Sequence, residues 1–301
     1  MIQWCSRHVR QAGKLKGYHN IYTNIMKTTK LLLAMTVVAM CAAGCGTKKE
    51  EPKTLVLYYS LTGNTKMVAE EMANRLGADM EAIECVNPYD TNFQACIQRC
   101  MQEREQGVTP EILPVQADLS KYDVVFIGYP VWFGTYAPPV AKWLEGVDLT
   151  GKKVVPFCTF GSGGLESSVK DLKAAQPNAE VLDGYGVRAA RLEAMPGEVD
   201  QFLKCLGFVE GEYTRLEEFA EPHEVSDEES AIFEAAFGDY PMYNAQPKTV
   251  ALRALPNGTE YRFTAVDLPR ADRSDMPPAG EMQVYVTVAD GQAPVFTKVV
   301  R

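Results

Sequence analysis

The sequence predicts an α/β protein: a doubly wound, five-stranded parallel sheet followed by a smaller α+β unit. Between residues 54 and 207, short apolar runs alternate with segments in which apolar residues recur at helical spacing. Strands buried on both faces of a parallel sheet have such runs, and their alternation with helices predicts a sheet covered on both sides. From residue 208 the order changes to one helical pattern followed by several strand patterns, which is typical of an α+β arrangement.

The elements of the first unit follow from these patterns in chain order. The run TLVLYYS predicts a buried central strand, and after it Met67, Val68 and Met72 share one helical face. Predicted strands span residues 54–60, 78–86, 123–128, 153–159 and 180–182, and predicted helices span residues 64–76, 91–106, 139–144, 164–175 and 196–206. In the second of these helices, one apolar face combines Phe93, Ile97, Cys100 and Met101.

The second unit is predicted to begin with a helix over residues 227–237. Ser226 is its expected N-cap, and Glu229 occupies the capping-box position. The dipeptide Asn257-Gly258 predicts a hairpin between the first two strands that follow. Those strands are expected at residues 249–255, 260–267, 281–289 and 294–300, with a Pro-rich loop at 272–280.

Composition and charge exclude several classes of protein. The chain has 301 residues, 46% of them hydrophobic and 23% charged, which is ordinary for a globular protein and unlike a disordered, collagen-like or polytopic membrane protein. Residues 1–45 carry six basic and no acidic residues, so the rest has 24 basic against 39 acidic residues, or a net charge of −15. Such an acidic body is unsuited to nucleic acid and favours protein partners with a basic contact face.

The first 45 residues are predicted to be a leader rather than part of a fold. A basic segment at residues 26–30 precedes LLLAMTVVA, an apolar run too short for a comfortable membrane span. The following Ala-Ala-Gly-Cys resembles a bacterial lipobox, which implies cleavage after Gly44, a lipid on Cys45 and export to the periplasmic or surface face of a bacterial membrane. Residues 1–25 are then expected to be a mis-called start, and residues 46–52 a polar tether. The alternative is an unprocessed N-terminal helix.

The cysteines do not indicate a metal site. The chain has no CxxC pair, and His223 is the only histidine outside the leader, so zinc ligation is not expected. Buried free thiols are the favoured interpretation, and export leaves a disulfide open. The cysteines outside the leader are Cys85, Cys96, Cys100, Cys158 and Cys205.

The loop after the first strand predicts a phosphate site. Its short polar side chains and one glycine surround the start of a helix, whose free amides and positive dipole end favour anions. The loop has no lysine and no GxxxxGK[ST] motif, so a single terminal phosphate fits better than a nucleoside triphosphate with magnesium. Helix capping by Ser and Thr is the alternative. The residues concerned are Ser60, Thr62, Gly63, Asn64 and Thr65.

Two further loops of unusual composition follow strands of the same sheet. GYPVWFGTYAPP places Trp132 and Phe133 where the chain has to turn. A flat ligand packing on them explains this pair, and a surface patch or dimer contact is the alternative. TFGSGG has three glycines that allow close backbone approach to a ligand, although a plain turn would also use glycine. Because loops at the carboxyl ends of such strands bind ligands, the three together predict a single site.

Together, YYSLTGNT, GYPVWFGTYAPP and PFCTFGSGG resemble the flavodoxin-like proteins, most closely the branch with YSxTGNT and GxPxWW motifs. The resemblance covers residues 53–207. Phe133 replaces the second Trp of that branch. Phe160 stands where the branch often has His, so the resemblance does not carry a proton donor to this position.

The resemblance implies a non-covalently bound FMN. No catalytic acid, base or nucleophile stands out in the sequence itself. It assigns the phosphate to Ser60, Thr62, Gly63, Asn64 and Thr65. It lines one side of the isoalloxazine with Pro130, Val131, Trp132, Phe133 and Gly134, and it places the backbone of Phe160, Gly161, Ser162, Gly163 and Gly164 at the other ring edge. We therefore expect electron transfer through FMN to a redox partner protein. The alternatives are an NAD(P)H- or quinone-using FMN reductase and a non-redox, surface-anchored binding protein.

The second unit carries a separate resemblance. Its helix followed by VALRALPNGTEYRF resembles cystatin-like domains, whose hairpin has the form QVVAGTNY. Here LPNGTEY at residues 255–261 differs from that form at several positions. We expect residues 208–301 to be a structural or docking module rather than a protease inhibitor.

Overall fold

The computed structural model describes residues 53–269 and 278–301. The predicted leader with its lipid site at Cys45, the tether at residues 46–52 and most of the Pro-rich loop lie outside these residues. Within the described part of the chain, no helix combines the length and the apolar character that crossing a membrane requires.

The first unit alternates strands and helices as predicted. Its strands are β1 (Thr54–Tyr58), β2 (Asp79–Ala82), β3 (Val124–Trp132), β4 (Thr135–Tyr136), β5 (Lys153–Phe160), β6 (Glu180–Val181) and β7 (Tyr185–Arg188). Its α-helices are α1 (Asn64–Leu76), α2 (Phe93–Gln106), α3 (Pro138–Glu145), α4 (Leu165–Ala175) and α5 (Met195–Leu206), with short 3₁₀ segments at Leu119–Lys121 and Ala189–Ala194.

The strands form one doubly wound sheet in the order β2-β1-β3-β5-β6. All of these neighbours pair in parallel, and β7 also pairs in parallel with β5. The predicted five-stranded parallel sheet is therefore confirmed, with its fifth position divided between β6 and β7. Alternate residues of β1 enter opposite cores: Leu55 and Leu57 pack with α2, α3 and α4, whereas Val56 packs with α1 and α5.

Several segments of the first unit differ from their predicted form. Strand β2, predicted over residues 78–86, spans only Asp79–Ala82. The strand expected to end at residue 128 continues to Trp132, because β5 offers pairing partners as far as Pro130 and the chain then folds back into β4. The apolar face predicted for α2 is only half right: Cys100 is buried and Ile97 half-buried, but Phe93 and Met101 are not part of the buried face. Phe93 is 72% exposed and Met101 50% exposed, while Cys96 and Cys100 are buried against the sheet.

The second unit is an antiparallel sheet preceded by a helix, as predicted. The short strand β8 (His223–Glu224) precedes helix α6 (Asp227–Phe233). The helix continues into a π-helical turn at Glu234–Gly238. Ser226 and Glu229 form the predicted capping box. The sheet order is β12-β11-β10-β9-β8, with β9 (Ala245–Leu255), β10 (Gly258–Asp267), β11 (Glu281–Ala289) and β12 (Val295–Val300).

The two faces of this sheet differ in character. One face packs an apolar core against α6, with Phe233, Phe263 and Val284 almost fully buried. The other face holds a buried ion pair between cross-strand neighbours, since Arg253 Nε donates to Glu260 Oε2 at 2.6 Å. The ring of Phe219 lies between two guanidinium groups, 4.4 Å from that of Arg253 and 4.5 Å from that of Arg262. The segment before the helix thus covers the polar face.

Candidate functional site

The three loops singled out from the sequence lie at one edge of the parallel sheet. They follow β1, β3 and β5, which are adjacent in the sheet and point the same way. Side chains from two of them touch: Thr65 Oγ1 at the start of α1 is 2.8 Å from Thr159 Oγ1 near the end of β5, and both residues are buried. The fold therefore brings together the residues predicted to form a site.

The first loop leaves a helix N-terminus without a side-chain cap. Gly63 is the N-cap, with φ +90°, and its main-chain oxygen accepts the first intrahelical bond from Met67 N at 3.0 Å. A Cβ at Gly63 would meet nothing within 4 Å, so the space before the helix is open. Thr62 is exposed beside it. The capping alternative is therefore not what this loop uses, and no side-chain hydrogen bond caps the positive end of the helix dipole.

Ser60 Oγ is a buried hydroxyl oxygen with no hydrogen-bond partner among the described residues. Leaving such a group unpaired costs about 1–3 kcal/mol, so an unpaired buried hydroxyl requires an explanation. Thr65, by contrast, has its hydroxyl on Thr159, which ties the loop to β5. Among the predicted phosphate residues, Thr65 therefore anchors the loop to β5, whereas the Ser60 hydroxyl has no protein partner in the described residues and could bind a ligand.

The second loop is a tight hairpin rather than an open loop. β3 and β4 pair through Val131↔Tyr136 and Trp132↔Thr135, and Phe133 and Gly134 form the turn with φ +51° and +84°. Positive φ at both central residues is the signature of a type I′ turn, in which Asn-Gly is the preferred sequence. Phe133 is 52% exposed, with the Arg104 guanidinium 4.9 Å from its ring. An aromatic residue is thus held in a strained backbone conformation at the mouth of the site.

Trp132 is oriented by two tyrosines. Its ring meets Tyr59 edge-on at 5.8 Å and Tyr89 at 5.1 Å. Tyr89 in turn donates its hydroxyl to Glu103 at 2.5 Å. Burial, followed by this hydrogen bond, raises the pKa of Tyr89 well above its usual range, so the phenol stays protonated. Trp132 is consequently a fixed, partly buried ring, whereas Phe133 projects outward.

Phe133→Asn is expected to stabilise the chain by about 1 kcal/mol. The left-handed region costs a side chain such as Phe about 1–2 kcal/mol, whereas Asn tolerates it, and the loss of the exposed cation–π contact offsets only about 0.5–1 kcal/mol. Thermal unfolding of the two proteins measures the difference. Phe133→Leu serves as the control, because it keeps the strain and loses the ring. A melting temperature for Phe133→Asn at or below that of Phe133→Leu would contradict this account of the turn.

The third loop contacts the second unit. A Cβ on Gly163 would lie 2.1 Å from the carbonyl oxygen of Val299 in β12. The sequence predicted that a ligand would approach the backbone of this loop closely, but at Gly163 it is the main chain of β12 that does so. Gly164 has φ +107° and begins α4, while Gly161 is exposed and Phe160 is buried. The single hydroxyl proton of Ser167, on α4, is donated to Gly134 O at 2.5 Å, with Gly164 O 3.1 Å away as the other acceptor in reach. This contact joins the second loop to the third.

The cysteine thiols near the site are unreactive. Cys85, Cys96, Cys100 and Cys158 are buried free thiols, as expected. Burial raises the pKa of Cys85 to about 11 and that of Cys100 to about 12, and the thiol form is a poor nucleophile. Cys205 is disulfide-bonded, the alternative to a free thiol that the sequence left open. No group of three or more His, Cys, Asp or Glu side chains in residues 53–269 and 278–301 is arranged to hold a metal.

Several residues of the site were missed from the sequence. Thr135 Oγ1 is a second buried hydroxyl oxygen with no hydrogen-bond partner in the described chain. Its position between Gly134 and Tyr136, as the polar residue of an aromatic hairpin, is a signal that could have found it. Tyr59 and Tyr89, which hold Trp132, carry no comparable signal, because only the fold brings Tyr89 to the end of β3.

Comparisons with known proteins bear on the first unit. The family model for Flavodoxin matches residues 53–194, and no functionally curated protein matches the chain.

The chain is similar to the solved structure of a candidate flavoprotein from Bacteroides eggerthii, with 31% identity over 50% of this chain and 97% of that chain and a TM-score of 0.43. It is also similar to a flavoprotein in complex with FMN from Lactobacillus acidophilus, with 24% identity over 50% of this chain and 98% of that chain and a TM-score of 0.41. For oxidised flavodoxin 2 from Bacillus cereus, the identity is 21% over 52% of this chain and 97% of that chain, with a TM-score of 0.35. The parallel sheet, the motifs on its three loops and the match over residues 53–194 together show that the first unit belongs to the flavodoxin family.

Proposed function

We propose that the first unit binds FMN non-covalently at the three loops and that the chain transfers electrons through it. The observation that carries the proposal is Ser60 Oγ, a buried hydroxyl without a partner in the described chain, in the loop that leads to an uncapped helix N-terminus. A phosphate oxygen is a partner for that hydroxyl, and the helix amides and dipole stabilise its charge. The open space at Gly63 leaves room for such a group. The residues present therefore fit FMN.

The remaining residues have distinct tasks. Ser60, Thr62, Gly63, Asn64 and Thr65 would form the phosphate loop, with Thr65 fixing it to β5. Pro130, Val131, Trp132, Phe133 and Gly134 would line one side of the ring system, and Phe160, Gly161, Ser162, Gly163 and Gly164 its other edge. FMN, when bound, supplies electron and hydride chemistry that no side chain has. Tyr59 and Tyr89 already hold the Trp132 ring in place, so this side chain loses little conformational freedom when FMN binds beside it.

The proposal extends to the cellular context. The acidic body of the chain favours a redox partner that is basic at its contact face. The lipobox-like sequence supports an exported protein held at a bacterial membrane by a lipid on Cys45. An electron carrier fits these features, since the three described loops, at residues 60–65, 129–139 and 159–164, carry no His, Asp, Glu or Lys side chain. Turnover of NADPH with a quinone by the purified chain would favour the reductase alternative instead.

The test is a titration of the full chain with FMN, followed by desalting and a visible absorption spectrum. We expect a yellow protein, and we expect Ser60→Ala to weaken FMN binding by roughly tenfold, because a hydrogen bond to a charged group contributes about 1.5–3 kcal/mol. Riboflavin, which lacks the phosphate, should bind Ser60→Ala and the unmodified chain nearly equally.

Ser230→Ala is the matched control, since Ser230 is an exposed serine on α6 in the second unit. It should bind FMN like the unmodified chain. A colourless protein that does not retain added FMN would reject the proposal and favour a non-redox binding role for the same scaffold. Equal losses of FMN and riboflavin in Ser60→Ala would show that Ser60 does not face the phosphate.

A further inference from the structure

Strand β12 of the second unit makes main-chain contact with the third loop of the first unit. Val299 N donates to Ser162 O at 2.6 Å, and Val299 forms a parallel bridge with Gly163. A side chain at Gly163 would collide with the Val299 carbonyl, so glycine is required there by β12. The loop that carries the predicted ring-edge contacts is thus shaped by a strand more than 130 positions away in the chain.

Arg188 joins the same two elements from the end of β7. Its Nε donates to Gly161 O at 2.7 Å, and its Nη1 donates to Phe296 O at 2.9 Å. The guanidinium also lies 4.0 Å from the centre of the Phe296 ring. Because Gly161 belongs to the third loop and Phe296 to β12, one planar, multiply donating group fixes the distance between them.

A third contact fixes the helix that follows the loop. Lys298 Nζ is 2.6 Å from Glu166 Oε1, in the first turn of α4, and the Lys298 side chain is only 10% exposed. Both ends of the loop are therefore held: Arg188 binds it at Gly161, and Lys298 holds α4 just beyond Gly164. Held at these points, the loop has less conformational freedom to lose when a ligand binds.

We propose that the second unit is a positioning module for the flavin site: β12 and Arg188 hold the third loop in the conformation that receives the isoalloxazine ring. The inference rests on the proposed FMN function. Arg188 and Val299 act as positioning residues, through the main chain of Gly161 and Ser162, and not as catalytic residues. Because coupling between binding events is reciprocal, FMN binding should in turn strengthen the docking of the second unit.

Val299→Pro is the most selective test of the junction. The Val299 N–H points away from β11, towards Ser162, and an outward-facing N–H on an edge strand is a position where proline is tolerated. The variant therefore removes one hydrogen bond between the units and keeps the β11–β12 ladder. Val299→Ala keeps the N–H and shortens the side chain, so the ratio of dissociation constants of the two variants reports the N–H alone.

We expect Val299→Pro to bind FMN about tenfold more weakly than the unmodified chain and at least about fivefold more weakly than Val299→Ala. Since the third loop serves the ring and not the phosphate, riboflavin binding should fall by the same factor. Arg188→Met should behave likewise, and Arg188→Lys, which keeps the charge and a donor, should recover part of the loss. These affinities are measured by fluorescence titration of the full chain, with thermal unfolding recorded in parallel.

The outcomes separate the two proposals. If the unmodified chain binds FMN and both Val299→Pro and Arg188→Met bind it equally well, the positioning role is overturned and the proposed function stands. A lower melting temperature with unchanged dissociation constants also overturns it, because the junction is then purely structural. If the unmodified chain does not bind FMN, the proposed function fails, and the positioning role fails with it. Should Val299→Pro not fold, Arg188→Met and Arg188→Lys carry the test alone.

Discussion

Thr62→Glu is expected to weaken FMN binding by about 100-fold or more while leaving the fold intact. Thr62 is exposed in the loop before α1, so the longer side chain displaces no packed atoms. A carboxylate at this point lies near the positive end of the helix dipole, which favours it by about 0.3–1 kcal/mol. The same carboxylate repels a phosphate by about 1 kcal/mol per charge pair in water and about 4 kcal/mol at an effective dielectric constant of 20, for charges about 4 Å apart. Stability and affinity should therefore change in opposite directions.

The matched control is Thr150→Glu. Thr150 is an exposed threonine in the turn before β5, at the opposite edge of the parallel sheet from the three loops. Both variants add the same charge to the same chain, so a general effect of net charge would appear in both. Titration with FMN and with riboflavin, at matched ionic strength, separates repulsion of the phosphate from damage to the ring pocket. Unchanged FMN affinity in Thr62→Glu would place the phosphate elsewhere.

Arg253→Met is expected to lower the free energy of unfolding by about 3–5 kcal/mol, because it removes the guanidinium that pairs with the buried Glu260 carboxylate. The Arg253 and Glu260 side chains are 2% and 4% exposed, so solvent cannot replace the lost guanidinium. The variant also removes one of the two cations that enclose Phe219. Urea unfolding followed by circular dichroism measures the loss. With the third tryptophan, Trp4, replaced by Phe, the fluorescence of Trp132 and Trp143 reports on the first unit separately.

The double variant Arg253→Met with Glu260→Leu tests the cause. Replacing both members of a buried ion pair by apolar residues is often neutral or stabilising, so we expect most of the lost stability to return. Glu260→Leu alone should lower the free energy of unfolding, since it removes the carboxylate that pairs with the buried Arg253 guanidinium. If the double variant is as unstable as Arg253→Met, the loss arises from packing around Phe219 and not from the broken ion pair.

Secondary structure was predictable wherever a local pattern determined it. Helix α1 and strand β11 begin and end at the predicted residues. The helix has one apolar face at helical spacing, and the strand is a run of β-branched and aromatic residues. Prediction failed where tertiary packing overrides local pattern. The exposed Phe93 on α2 obeys helical spacing, but the sheet edge receives the neighbouring face with Cys96. Strand β7, YGVR, has no apolar run and was not predicted, because it forms by pairing with β5.

The site was predictable as a set of loops but not as a geometry. Motif composition indicated which loops meet, and parallel topology explains why they do. The hairpin at Phe133 was not predicted, because the first central residue of a type I′ turn is usually Asn, Asp or Gly and here it is Phe. The role of Gly163 was also hidden, since its neighbour in space is Val299 and no local pattern points across that separation in sequence. Which residues actually bind FMN remains a prediction for the titrations above.

The contact between β12 and the third loop also bears on aggregation. β12 is the last strand of its sheet, and its sequence VFTKVV is rich in β-branched and aromatic residues with a single charge. An edge of this kind, left uncovered, is a template for strand addition from another molecule. The bridge from Val299 to the loop at Gly163, together with the burial of Lys298 against α4, blocks that edge. The flavodoxin-like unit therefore covers the edge strand β12 of the second unit, and separating the two units would expose that strand to pairing with other molecules.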